Sequence, residues 1–349
     1  MWFPLKRSVG RKWPASRRFV AAFAAIAGGV LLYIPGVISA PPAAASCTTA
    51  GCAAPVPCNT TVGACWQPAV GMRWQYQLQA ARNAAGTACL YPSTGGINVN
   101  ISASPAGGGP PVKPQVFDID FQTDGFCTGG TITQENSAAV AAIHANGAHA
   151  ICYVDAGTAE TFRPDYQDYA NFNNQTGGAL FGKPVGGFRN EFWLNINNDK
   201  GQRDFILTEV GKRVDRCVAD GFDAVEFDNV DAYQNKTGLS ISSDTQLLFD
   251  AGLANLAHSK GLTVALKNDL GQLADLKPYF DFAINEQCFQ FKECNFPPPG
   301  LPDWTASGKA VFNVEYKSSA LNCPLAATYR ISSISKDVNL FDQPWTPCS

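Results

Sequence analysis

The chain has 349 residues, 46% hydrophobic and 16% charged, enough for one large domain or two small ones and too apolar for disorder across the main body. The formal charge is −3, but the first 45 residues hold Lys6, Arg7, Arg11, Lys12, Arg17 and Arg18 and no acid, so residues 46–349 carry 20 basic against 29 acidic side chains, a charge of −9. Such a surface repels phosphate backbones, which excludes nucleic acid as a natural partner and favours a polycationic one.

Residues 1–45 pair the basic start with an uncharged run, FVAAFAAIAGGVLLYIPGVISAPPAAA, the layout of a secretory signal and an expectation of a secreted, extracellular protein. The alternative is a retained membrane anchor, since Phe19–Ile34 extended by Pro35–Ala40 reaches spanning length. All 12 cysteines follow this segment, and an even count in an exported chain favours disulfides. No C-x-x-C occurs and only His144, His149 and His258 are present, which argues against structural zinc. Pairing is not deducible from sequence; Cys288 with Cys294 is the best candidate for a local bridge. Sequons stand at Asn59, Asn100, Asn174 and Asn235.

Residues 46–70 are rich in cysteine and proline and read as a disulfide-tied leader. From 71 to 349 the texture is that of one domain. Short apolar strands recur: WQYQL (74–78), VFDIDF (116–121), HAICYVDA (149–156), FWLNI (192–196), FDAVEF (222–227), LTVALK (262–267), FDFAINE (280–286), AVFNVEY (310–316) and KDVNLF (336–341). Helical patterns fill gaps at 136–147, 204–221 and 243–261, the last with Ser243 as a candidate cap. Residues 92–115 read as an insertion or hairpin. Strand–helix alternation implies parallel strands with helices outside, and eight such units close a (β/α)8, TIM-like barrel of the α/β class. Nine candidates for eight places leave one too many; 74–78 or 336–341 is expected to fall outside the barrel order.

In such a barrel the functional groups sit at the carboxyl ends of the strands. There the pattern places Asp118, Asp120, Asp155, Glu226, Asp228 and Glu286, with Lys267, Asn268 and Glu315 beside them. Side chains alternate along a strand, so Glu226 and Asp228 share a face, as do Asp118 and Asp120. Converging carboxylates repel, which makes a purely structural role hard to sustain. The cluster suits glycoside hydrolysis, in which one carboxyl protonates the leaving oxygen and the other attacks the anomeric carbon or activates water. It also suits metal-assisted hydrolysis with Asp118, Asp120, Asp228 and Asp231 as oxygen ligands, a weaker fit. No Ser–His–Asp order, G-x-S-x-G, phosphate loop or dinucleotide fingerprint is present.

WQYQL, VFDIDF, ICYVDAGTAETFRPD, NEFWLNI, RVDRCVADGFDAVEFDNVDAYQNKTG, LANLAHSKGLTVALKN, FDFAINEQCFQFKEC and AVFNVEY, in this order from Trp74 to Tyr316, resemble glycoside hydrolase family 114, the endo-α-1,4-polygalactosaminidases. The resemblance implies Asp228 as nucleophile, Glu286 as general acid/base, hydrolysis with retention, and no metal or organic cofactor. It implies a cationic or partly acetylated galactosamine polysaccharide as substrate, and no stable protein partner is expected.

Asp118, Asp120, Asp155 and Glu226 are candidates to contact amine or hydroxyl groups, with Asn268 beside them, and Tyr153 and Trp193 to offer aromatic faces. Lys267 is expected to pair with Asp228 or Glu226 and lower the pKa of the group that must stay ionised. Plainer readings compete: Trp193 in so apolar a run as core, Glu160–Arg163 as an exposed loop pair, His258 as packing on a helix. A catalytically silent barrel that binds extracellular amino-polysaccharide is the rival from another class.

Overall fold

A computed structural model of the protein describes residues 46–349, apart from 61–62, 131, 133–134 and 297. The expected signal or anchor, residues 1–45, lies outside the described residues. Among the described residues no helix is long and apolar enough to cross a membrane.

Twelve strands follow the leader: β1 (Trp74–Gln77), β2 (Val116–Asp120), β3 (His149–Asp155), β4 (Thr158–Glu160), β5 (Phe181–Val185), β6 (Phe188–Leu194), β7 (Ala224–Asp228), β8 (Thr263–Lys267), β9 (Phe282–Glu286), β10 (Val311–Glu315), β11 (Ser332–Lys336) and β12 (Trp345–Pro347). One sheet runs β1-β2-β3-β7-β8-β9-β10-β11 with every pairing parallel, and β12 adds antiparallel to β11. This is the expected α/β barrel. No ladder joins β11 to β1. The seam is instead closed by indoles, Trp74 Nε1 donating to Ser332 O and Trp345 Nε1 to Trp74 O, each at 3.0 Å.

Helices cover the outside where the sequence periodicity predicts them: Ser137–Ala145, Gln202–Asp220 and Ser243–Ser259. Along Gln202–Asp220, Ile206, Val210 and Val214 face inward, whereas Val218, on the predicted stripe, is exposed. The third helix is capped by Ser242, one residue before the expected Ser243, through its side chain on the Thr245 N–H. Tyr166–Gln175 is a further helix, too polar to show a stripe in the sequence.

Two strand expectations are corrected, and the choice left open between 74–78 and 336–341 is settled. WQYQ is the first barrel strand; its buried Gln75 and Gln77 are satisfied by backbone carbonyls of Asp342, Gln79 and Gly96. FWLNI is not a barrel strand: Phe192 and Trp193 belong to β6, which with β4 and β5 forms an antiparallel sheet inserted between β3 and β7. KDVNLF is not a strand either. The eighth barrel strand is the preceding SSISK, whose polar Ser333, Ser335 and Lys336 are buried by the barrel. The hairpin expected in 92–115 reduces to one bridge, Ala103 with Val112.

The 12 cysteines form six disulfides: Cys47–Cys52, Cys58–Cys65, Cys89–Cys127, Cys152–Cys217, Cys288–Cys294 and Cys323–Cys348. The leader lies along the helix Ser243–Ser259, where Asn255 bonds Val56 N and Ala54 O and His258 bonds Val56 O and Asp281. His258 is thus a packing residue. His144 and His149 both face Asp223.

Candidate active site

Parallel register brings the carboxyl ends of β7, β8 and β9 side by side, and the group at their centre is Lys267. Its ammonium lies 2.9 Å from Glu226 Oε1, 3.1 Å from Asp228 Oδ1 and 3.9 Å from Glu286 Oε2. The Tyr76 hydroxyl accepts from it at 3.2 Å and donates to Glu226 Oε1 at 3.3 Å. Lys267 and Glu226 are 1% and 0% exposed, whereas Asp228 and Glu286 are 21% and 24% exposed. The layering follows: a sealed ionic floor carries two carboxylates that face the mouth. Those two are bound through one nitrogen, so Asp228 Oδ1 and Glu286 Oε2 lie within 7.0 Å of each other, the sum of their separations from it.

Each of the two mouth-facing carboxylates is aimed by its own loop. Asn229 turns the chain at φ 63°, and its backbone N–H donates to Asp228 Oδ1 at 2.8 Å. Tyr153 donates to Oδ2 at 2.9 Å. The following loop of β3 crosses so closely that a Cβ on Gly157 would lie 1.9 Å from Asn229 O, which only glycine permits. Burial alone would raise the pKa of Asp228, but Lys267, Tyr153 and the Asn229 N–H together hold it below the ordinary carboxylate range. Burial likewise works against the charge on Lys267, yet Asp228, Glu226 and Glu286 keep it ionised well above the usual amine range. Glu286 accepts the Tyr316 hydroxyl on Oε1 and Asn268 Nδ2 on Oε2, the latter at 3.1 Å. Asn268 Oδ1 also accepts the Glu286 N–H at 2.9 Å, so one amide fixes both backbone and side chain.

The other predicted residues stand further back. Glu226 is sealed within the floor and Asp118 is sealed with it, where no solvent and hence no sugar reaches them in this conformation. Asp155, 1% exposed, accepts from Thr158 and from Asn229 Nδ2; it holds the loop that aims Asp228 instead of facing the mouth. Burial, Glu160 and Asp228 push its pKa well above the ordinary value. Asp120 is gripped by both terminal nitrogens of Arg163, at 2.8 and 2.5 Å. Arg163 also donates from Nε to Glu160 at 2.6 Å; the Glu160–Arg163 pair exists as expected, but buried and shared with Asp120 rather than exposed. Trp193 takes its plainer reading, packed at 4% exposure against Val185 and Ala232. Glu315 accepts the N–H groups of Phe289 and Gln290 and so anchors the loop after β9.

The alternative set of oxygen ligands is not assembled. Among the described residues no three or more His, Cys, Asp or Glu side chains form a group that could hold a metal ion. Sequence reasoning missed Tyr76 and Tyr316. Both sit on or just past barrel strands, at the end where the acids were found, and that position was the available signal.

Comparison with known proteins agrees with this geometry. Residues 57–348 match glycoside-hydrolase family GH114. The fold is similar to Ega3 of Aspergillus fumigatus, solved with galactosamine: 26% identity over 79% of this chain and 95% of that one, TM-score 0.60. It is also similar to the glycoside hydrolase domain of PelA from Pseudomonas aeruginosa, at 11% identity over 80% of this chain and 98% of that one, TM-score 0.51. No curated protein matches. The match over most of the chain, on a barrel with two facing carboxylates, shows that the protein is a glycoside hydrolase and belongs to family GH114.

Proposed function

We propose that the protein cleaves α-1,4-linked galactosamine polymers internally and with retention, with Asp228 as nucleophile and Glu286 as general acid/base. The observation that carries this reading is the shared ammonium, which keeps Asp228 and Glu286 within 7.0 Å. Retaining pairs stand about 5–5.5 Å apart and inverting pairs about 6.5–9.5 Å, and the bound takes in the whole retaining range and only the lower edge of the inverting one.

In the first half-reaction Glu286 gives its proton to the glycosidic oxygen as that bond breaks, while Asp228 forms a bond to the anomeric carbon. The ionised state of Asp228, upheld by Lys267, suits that attack. In the second, Glu286, now a carboxylate, takes a proton from water as its oxygen displaces Asp228, and the anomeric configuration is restored. Tyr316 and Asn268 hold Glu286 through both steps.

Substrate class is supported from two sides. The relative Ega3 was solved with galactosamine, and a chain of charge −9 after residue 45 draws a polycation toward it. Six disulfides support an extracellular site of action. The test is depolymerisation of partly deacetylated galactosaminogalactan by Asp228→Asn and Glu286→Gln. Each is expected to lose activity by about 10³-fold or more while folding normally. Normal turnover by either folded variant removes that residue from the mechanism, and binding by the wild type without new reducing ends replaces the enzyme with a binding protein.

A further inference from the structure

Asp118 poses a problem that the reaction above does not use. It is 0% exposed, and among the described residues neither carboxyl oxygen receives an N–H or O–H from any donor. The charge that acts on it most strongly belongs to another acid, Glu226, itself 0% exposed in the barrel interior. Glu226 has given its Oε1 to Lys267 and Tyr76, and among the described residues its Oε2 has no donor. Two neighbouring anionic carboxylates, sealed from water, repel each other. A hydrogen bond between them needs a proton on one, and a native interior rarely leaves so many polar atoms unmet.

We propose that Asp118 carries that proton and donates it to Glu226, so that the two acids form one single-charged unit that fixes Lys267 between Asp228 and Glu286. Asp118 is therefore a positioning residue. The inference rests on the reading of Asp228 and Glu286 as the reacting pair.

The charge balance explains why the proton matters. With Asp118 neutral, Glu226 and Lys267 form a neutral floor, and the negative charge of Asp228 remains for the anomeric carbon. With Asp118 ionised, two buried anions would compete with Asp228 for a single ammonium and draw it downward. Lys267 ion-pairs with Glu226 at 2.9 Å and donates hydrogen bonds to Asp228 and Tyr76, so these three close partners leave it poorly placed to answer a further anion. Burial, then the charge of Glu226, also pushes Asp118 well above the ordinary carboxylate range, in the direction the geometry requires.

The test is an infrared difference spectrum of the wild-type chain against Asp118→Asn at neutral pH, with kcat, KM and melting temperature measured beside it. The expected result is loss of the carbonyl band of one protonated carboxylic acid in Asp118→Asn. Its amide N–H takes over the bond to Glu226, and kcat stays within about threefold of wild type, whereas Asp118→Ala falls by about tenfold or more at similar KM. No missing acid band, or equal loss of kcat in a folded Asn and Ala variant, overturns the proposal. If Asp118→Ala does not fold, a loss above about tenfold in Asp118→Asn overturns it alone. The spectrum needs no turnover, so its failure is distinct from failure of the galactosaminidase reading, which shows as a wild type that releases no reducing ends.

Discussion

Replacing Lys267 by Met removes one charge from a place where three carboxylates depend on it. At 3.1 Å from Asp228 and an effective dielectric of about 20, the direct attraction is about 5 kcal/mol. Not all of this is lost, because the neighbourhood can respond. Burial already raises the pKa of Glu226, and without the ammonium it takes up a proton, so the floor returns to neutrality. Asp228 keeps its bonds from Tyr153 and the Asn229 N–H but loses its cation, and its pKa rises. The sign fixes the pH dependence. A nucleophile whose pKa is depressed stays ionised into acid; once the pKa rises, the acid limb of kcat/KM moves up by the same amount. Stability changes with it: relative to wild type, the variant weakens as pH rises through the carboxylate range, because its folded state then holds a proton that the unfolded state releases. Reducing-end release from galactosaminogalactan across pH 4–8, with thermal melts at each pH, measures both. An unmoved acid limb, or a loss of kcat/KM that is the same at both ends of that range, would refute the assignment of Lys267 as the cation that keeps Asp228 charged.

Other consequences follow from the same geometry. Tyr316→Phe leaves Glu286 Oε1 without its hydroxyl donor and should lower kcat by about tenfold with little change in KM, since a bond to an ionised group is involved. Arg163→Met leaves Asp120 and Glu160 without their guanidinium and should destabilise the fold by about 3–5 kcal/mol, read as a lower denaturant midpoint. Glu293, pushed up to about 7 by burial and by Glu315, binds its proton more tightly folded than unfolded, so stability falls as pH rises from the ordinary glutamate range to neutrality. Glu293→Gln should flatten melting temperature over that interval; an unchanged slope would assign the effect to another group.

How much of this was legible in the sequence depends on what each signal reports. Runs that end in acids, AVEFD and FAINE, announced barrel strands because burial on both faces demands continuous apolar residues and the mouth demands chemistry. The same signal misled at FWLNI, whose apolar run serves an inserted sheet where Phe181, Val185 and Ala232 supply the partners. It was silent at SSISK, since a strand with serines on one face and a buried lysine on the other has no apolar alternation to read. Pairing was legible only at short range, as with Cys288 and Cys294; Cys152 and Cys217, 65 positions apart, meet only because the strand β3 lies under the helix Gln202–Asp220. Carboxylates could be placed at the mouth but not ranked by depth. Depth decides that Asp118, Glu226 and Asp155 support the site while Asp228 and Glu286 face the cleft, and it comes from three-dimensional register alone.

The most direct test of the central claim is mass spectrometry of Glu286→Gln quenched during reaction with a galactosaminide that has a good leaving group. Such a substrate needs no acid to react, and the missing base stalls the second step. The account predicts one galactosaminyl unit bound to the peptide that contains Asp228. An adduct on any other residue, or a product of inverted anomeric configuration with no adduct at all, would contradict it.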